Sequence, residues 1–451
     1  MTSKPLEGVR VLDFTWVRAG PWCTRWLAVL GAEVVKVEWP DPRLAFNGRI
    51  GGAMGAQGGG PNAGGHANDQ NAEKLSITVN VRSPKGLQII KDLMLVTDVV
   101  VENFSASVMD DWGLGYEVMR ELKPDIIYVS MAGFGHEGRH AAYTTMGPSV
   151  QALSGLTFLS GLPDAPPAGW GWSYMDDTGG LYGAMSTLAA LHHKQATGEG
   201  QHVDMSQVAA GITLTGPALL DLSANHRPSR RAGYPPGNRA HWPGTPLMNN
   251  YRGRTVAPHN AYRTLGGEHF DWCAITCATD EEWSSLVALM GSPAWATDEQ
   301  FATNVGRLEH QLELDAHIED WTRTVEKYEL MDRCQASGVP AGAVQSTEDR
   351  VEHDPQLRAR NLFTPMTHPV IGTFPMQQAP FQLSATPVPV SRHGPLLGEH
   401  NVSILGGLLG ISWDEIQDGY RDGTLWPAHV PMEHVDYLFE RPSGQLASRE
   451  G

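Results

Sequence analysis

The chain has 451 residues, with 50 acidic against 33 basic side chains and a formal charge of −17. That length exceeds what one hydrophobic core supports, so two domains or a discontinuous arrangement are expected, and the acidic balance excludes nucleic acid or an anionic membrane as a general partner. The four cysteines are too few and too scattered for a disulfide framework. Cys273 and Cys277 share one expected strand with no second ligand pair nearby, which reads as core rather than zinc.

The opening MTSKPLEGVRVLDF has no apolar signal core and no stretch reaches membrane-spanning length, so a cytoplasmic protein is expected. Residues 9–14 (VRVLDF) read as a buried strand, 21–30 as a helix closed by Gly31, and 33–38 (EVVKVE) as a second strand, a βαβ opening. The turn after the first strand is TWVRAGP, without the glycine spacing of a dinucleotide fingerprint, so no nicotinamide cofactor is expected. Residues 48–71 are glycine-rich and poor in apolar side chains, and read as a mobile surface loop. Alternation resumes with SITVNV (76–81), a helix over 85–95, DVVVE (98–102), a helix over 108–122 and DIIYVSMA (125–132), short β-branched strands of the kind a parallel sheet covers on both faces.

The stretch 170–201 reads as an aromatic strand end, a paired-carboxylate turn and then a helix. Leu181, Ala184, Met185, Leu188 and Leu191 draw one apolar stripe, Asp177 or Thr178 is placed to cap its start, and Gly198 and Gly200 end it before the strand HVDMS. Asp176 and Asp177 are followed at once by Gly179 and Gly180. Either one carboxylate caps the helix and its neighbour is a solvated charge, or one is held ionised at the positive end of the helix dipole as a nucleophile or base; spacing alone leaves both open.

Residues 225–246, rich in Pro, Gly and Arg, read as a linker after the N-terminal part of a large domain (1–224). A small α+β domain follows (247–362), with HFDWCAIT as strand and DEEWSSLVALMG and HQLELDAHIEDWTRTV as helices. A return segment and tail (363–451), with a helix around 413–420, are expected to pack on the large domain.

The motifs VLDFTWVRAGPWCTRWLAVLGAEVVKVE, KLSITVNVRSPKG, VVVENF, GLGY, IIYVSMAGFG, the Asp-x-x-x-Gly turn with LAAL and TGEGQHVDMS behind it, SGVPAGAV and PLLGEHN stand in one order along nearly the whole chain. In that set and order the chain resembles the class III CoA-transferases, the group of the formyl-CoA:oxalate and carnitine CoA-transferases. The resemblance implies an α/β fold, a Rossmann-like large domain with a parallel sheet plus a smaller α+β domain, in an interlocked homodimer; some relatives work as heteromers with a paralogous subunit. It implies coenzyme A and acyl-CoA as substrates, a carboxylic acid partner, and no metal.

By the same resemblance the catalytic carboxylate falls on Asp176, with Gly179 and Gly180 beside the oxyanion. Lys36, Lys74 and Asn103 stand where relatives contact CoA, and Asp111 where relatives often carry an arginine. Residues 233–237 (GYPPG) stand where several relatives carry a glycine-rich closing loop. Arg18 borders the site and suits a bidentate carboxylate grip or a structural ion pair. Trp170, Trp172 and Tyr174 alternate before Asp176 and either line the acyl pocket or pack in the core. The GWGWSYMDD stretch most resembles transferases that use succinyl-CoA and benzylsuccinate, which points to an aromatic or substituted dicarboxylic acceptor. Two alternatives stay open: a 2-methylacyl-CoA racemase, whose histidine would align with Pro148 here, and a non-catalytic CoA-binding subunit. His136 and His140 lie out of that register and read as loop histidines.

Overall fold

The computed structural model describes residues 4–39, 62–160, 166–226, 255–266 and 271–427. The expected loop at 233–237, most of the expected linker and residues 48–61 of the glycine-rich tract lie outside them. The chain divides into two compact units, one of Met1–Ser154, Trp170–Leu214 and Ala359–Gly451, the other of Gly155–Gly169 and Thr215–Arg358.

In chain order the first half runs β1 (Arg10–Asp13), α1 (Ala19–Val29), β2 (Glu33–Glu38), α2 (Gly65–Gln70), β3 (Leu75–Thr78), α3 (Pro84–Leu95), β4 (Val99–Glu102), α4 (Val108–Asp111), α5 (Tyr116–Leu122), β5 (Ile127–Ala132), α6 (Gly147–Leu153), α7 (Leu156–Leu159), α8 (Tyr174–Thr197), β6 (His202–Ser206), α9 (Gln207–Ile212) and α10 (Gly216–Asn225). The six strands form one sheet in the order β3-β2-β1-β4-β5-β6, every neighbouring pair parallel. Val11, Val34, Val99, Val101, Ile127 and Val129 bury one face with α1 and α8, while Leu12, Val35, Ile77, Val100 and Tyr128 bury the other with α3 and α5. Double burial explains why these strands are unbroken β-branched runs.

The second unit carries a three-stranded antiparallel sheet of β7 (His259–Arg263), β8 (Trp272–Thr276) and β9 (Ala341–Ala343). Helices α11 (Asp280–Leu289), α12 (Asn304–Glu309), α13 (Gln311–Thr322) and α14 (Lys327–Ala336) share its core. The Thr279–Glu282 capping box starts α11. After α15 (Pro355–Ala359), the chain returns to the first unit through the hairpin β10 (Phe363–His368) and β11 (Gly372–Gln377), then α16 (Gly407–Leu409) and α17 (Trp413–Asp422). The four cysteines are free and buried, so Cys273 and Cys277 are core residues. Among the described residues no helix is long and apolar enough to cross a membrane.

Residues 62–71 are not loose: they contain α2, and Ala63, Ala67, Asn68, Gln70 and Asn71 are buried. The helix expected over 108–122 is two helices, broken where Gly113 takes a left-handed φ of 69°. The aromatic stretch before Asp176 is not a strand; Gly171 turns left-handed at φ 74° and the helix has already begun at Tyr174.

The buried face of α8 is also not the expected stripe. It is Met175, Gly179, Gly180, Gly183, Ala184, Thr187 and Ala190, while Leu181, Met185 and Leu188 are 52%, 57% and 37% exposed. Backbone proximity outweighed side-chain size here. A Cβ on Gly180 would lie 2.7 Å from the Ala19 carbonyl oxygen and 2.9 Å from Trp22 Cβ, so α1 and α8 approach this closely only across glycine.

Candidate active site

The first turn of α8 presents both carboxylates at the positive end of the helix. Ser173 is the N-cap residue, so neither Asp177 nor Thr178 fills that role. Asp176 Oδ1 accepts a 2.8 Å hydrogen bond from Gln207 Nε2, at the first position of α9. A Cβ on Gly147 would lie 2.6 Å from Asp176 Oδ2, so the start of α6 forms a wall against the carboxylate that only glycine permits. Burial raises the Asp176 pKa, and the neighbouring Asp177 pushes the same way, against the Gln207 hydrogen bond and the Arg18 charge. A desolvated carboxylate with one well-made hydrogen bond is a stronger nucleophile than a hydrated one.

Asp177 turns instead to Arg18, whose Nη2 is 2.5 Å from its Oδ1. The Arg18 guanidinium also lies 4.7 Å from the centre of the Trp172 ring and 5.9 Å from that of Trp22, and its Nη1 is 3.3 Å from His66 Nε2. Burial lowers the His66 pKa and the Arg18 charge adds to it, which keeps that ring neutral. Arg18 is delivered by a strained turn. Val17, a β-branched residue, sits at φ 58°, and Asn103 clamps the residue before it by accepting from the Trp16 N–H at 2.8 Å and donating to its carbonyl at 3.0 Å.

The lysines behind that turn are not solvated. Lys74 is fully buried, 3.1 Å from Asp13 Oδ2, and donates also to Thr24 Oγ1, Asn71 Oδ1 and the Pro21 carbonyl; Lys36 donates to the Thr15 carbonyl. Burial pulls Lys74 down to about 8 against the attraction of Asp13. Burial opposes ionisation of Asp13 as well, but Lys36, Lys74 and the Thr15 and Thr24 hydroxyls hold it at about 2. In this geometry the two lysines and Asn103 shape the turn rather than face solvent. Asp111 is exposed. Gly179 and Gly180 lie inside α8 and are buried, where a Cβ would come within 2.9 Å of the Gln207 side chain and 2.7 Å of the Ala19 carbonyl oxygen, while in the first turn the Tyr174 and Asp176 N–H groups bond the Trp172 and Ser173 carbonyls, both at 2.9 Å.

Of the residues the sequence singles out, Asp176, Arg18, Trp172 and Tyr174 thus gather at one end of α8, with Trp170 5.8 Å from the Tyr174 ring. Trp170, Trp172 and Tyr174 are 43%, 38% and 45% exposed and belong to no core. Sequence reasoning missed Gln207, Gly147 and His66. For Gln207 the signal was a polar side chain opening the apolar helix that follows HVDMS; for His66 and Gly147 there was none. No group of three or more potential metal ligands occurs among the described residues.

The sequence profile of CoA-transferase family III matches residues 6–401. The succinyl-CoA–D-citramalate CoA-transferase of Chloroflexus aurantiacus is 33% identical over 92% of this chain and 96% of its own. A formyl-CoA:oxalate CoA-transferase of Streptomyces coelicolor is 34% identical over 92% of this chain and 98% of its own. The crystal structure of a CAIB/BAIF family protein from Brucella suis superposes with a TM-score of 0.77 at 28% identity, covering 90% of this chain and all of that one.

Proposed function

The chain belongs to CoA-transferase family III and moves CoA between acyl-CoA and carboxylic acids, and from that premise we propose that Asp176 is the nucleophile that carries CoA as an aspartyl thioester. A carboxylate oxygen of Asp176 attacks the donor thioester carbonyl, the C–S bond breaks, and CoA leaves as thiolate from a mixed anhydride. The thiolate then attacks the aspartyl carbonyl, releasing the donor acid and leaving aspartyl-CoA. The acceptor carboxylate reverses both steps, through a second mixed anhydride, to give the new acyl-CoA and free Asp176. No proton is transferred in either half. The observation that carries this reading is the pairing of burial with the Gln207 hydrogen bond at Asp176, which orients the carboxylate in a desolvated setting at the start of α8.

For the substrates, the reading is succinyl-CoA as donor and a substituted or aromatic dicarboxylic acid, of the benzylsuccinate type, as acceptor. Arg18 is the grip for the non-reacting carboxylate, with Trp172 against its guanidinium and Trp170 and Tyr174 as half-exposed aromatic walls for the substituent. The relative named for succinyl-CoA and D-citramalate supports a succinyl donor and a substituted dicarboxylate acceptor. Lys36 and Asn103 contribute to CoA binding through the turn they hold.

The unit of function is a homodimer. Leu181, Met185 and Leu188 lie three and four residues apart on one exposed side of α8, an apolar strip suited to a second copy of the chain.

The test is chemical trapping. Hydroxylamine added after an acyl-CoA donor converts aspartyl-CoA to a hydroxamate on the peptide containing Asp176, and the label is absent without donor and absent in Asp176→Ala. A label on Asp177, or vigorous transfer with no label, overturns the assignment, and a racemase leaves the peptide unmodified while exchanging the α-proton in deuterated water.

A further inference from the structure

His136 lies in the loop 133–146, between β5 and α6, and both of its ring nitrogens face carboxylates. Nε2 is 3.3 Å from Glu102 Oε1, at the end of β4, and Nδ1 is 3.2 Å from Asp204 Oδ1, on β6. The two Asp204 oxygens also accept the His136 backbone N–H at 2.9 and 3.0 Å. A neutral imidazole carries one N–H, so it would turn a lone pair toward one of these oxygens. Only the imidazolium donates to both.

The loop so held is continuous with the walls of the nucleophile. Its first residue, Gly133, accepts from Ser206 Oγ at 3.1 Å and from the Val208 N–H at 2.9 Å, the residues that flank Gln207. The loop leads directly into Gly147, which approaches Asp176 so closely that a Cβ there would lie 2.6 Å from Oδ2. Two neighbours of Asp176, Gln207 and Gly147, therefore hang from the two segments that His136 ties together. We propose that protonated His136 is a positioning residue for CoA transfer, which through its clamp on Glu102 and Asp204 holds Gly147 and Gln207 in register with Asp176. The inference rests on Asp176 being the nucleophile.

The surroundings favour the charged ring. Burial pulls the His136 pKa down, yet Glu102 and Asp204 outweigh it and the net shift is upward. The other titratable groups near the cluster are His202 on β6, which burial and the His136 charge keep low, Glu137 next to His136 in the chain, Tyr128 on β5, whose hydroxyl donates to Glu102 at 3.1 Å, and Asp110 on α4. His136 is thus the histidine of the cluster that its neighbours raise, so it loses its charge at higher pH than an ordinary histidine and transfer weakens as pH rises through that point.

The experiment is a pH profile of kcat from about pH 5 to about pH 10 for the wild-type chain, His136→Gln and His136→Lys, with thermal melts at each pH. The wild type is expected to show a reversible alkaline fall in kcat without unfolding. In His136→Gln kcat at neutral pH drops on the order of 10-fold and the alkaline limb disappears, while KM for the CoA donor changes by less than about 2-fold. In His136→Lys much of kcat returns and the limb moves to higher pH, because an ammonium has a pKa near 10.4. A wild type with no alkaline limb, or a His136→Gln variant that keeps the wild-type kcat and limb, overturns the proposal, as does a loss that appears only as lowered melting with the profile unchanged. If hydroxylamine labels no peptide in the wild type, the nucleophile assignment fails instead, whatever the pH profiles show.

Discussion

Gln207 Nε2 stands 2.8 Å from Asp176 Oδ1, a side-chain donor on a carboxylate that burial and its neighbour Asp177 both push toward protonation. These opposing influences make the acidic side of the activity profile adjustable in both directions. Asp176 must be ionised to attack, so activity is lost as pH falls through its raised pKa. Gln207→Leu removes the donor and moves that limb to higher pH, with kcat at neutral pH falling by roughly 10-fold or more. Asp177→Asn removes the like charge and moves the limb to lower pH. Profiles of kcat/KM for the two variants check this, and limbs that shift in the same direction would falsify the account of the site.

The buried pair beneath the turn gives a second prediction, about stability. Lys74→Met leaves the Asp13 carboxylate in the core without its 3.1 Å partner, and should cost about 3–5 kcal/mol in unfolding free energy. Asp13 has its pKa depressed to about 2, so its contribution is present above the unfolded value of 3.8 and is lost as pH falls through about 2. Denaturant titrations should therefore show the variant's deficit at neutral pH and the deficit shrinking between about pH 4 and about pH 2. A Lys74→Met protein with wild-type stability but a large rise in KM for CoA would instead make Lys74 a phosphate contact.

Why the sheet was legible and part of the site was not follows from what each signal reports. The strands announce themselves because both faces are buried, so 33–38 reads as a strand and is one residue for residue. The inner side of helix α8 is hard to read because a glycine face has no hydrophobic signal: Gly180 meets α1, Gly183 meets Met131 and Cys23, Gly179 meets Gln207, and the larger residues face outward. His66 was missed because a glycine-rich neighbourhood hides a six-residue helix held in place by its buried Asn68 and Gln70. His136 was set aside as a loop histidine because its two carboxylate partners lie 34 residues before it and 68 after, a distance no local pattern spans.

The outward side of α8 carries the last prediction. Leu181, Met185 and Leu188 are more than a third exposed on a helix whose opposite side is buried, and a chain with a net charge of −17 has ample polar residues for a surface meant to face water. A second copy of the chain would cover such a strip and bury about 25 cal/mol for each Å² of apolar area removed from water. Met185→Asp places a charge at the centre of the strip without touching Asp176, Gln207 or Arg18, so the monomer's own hydrogen bonds at the site are unaltered. Light scattering coupled to size exclusion should show the wild type as a dimer and the variant shifted to monomer, with the dissociation constant raised by at least about 100-fold, as expected for a desolvated unpaired charge costing roughly 3 kcal/mol. A variant that stays dimeric at micromolar concentration would mean that the strip faces something else, and that the interface lies on another surface.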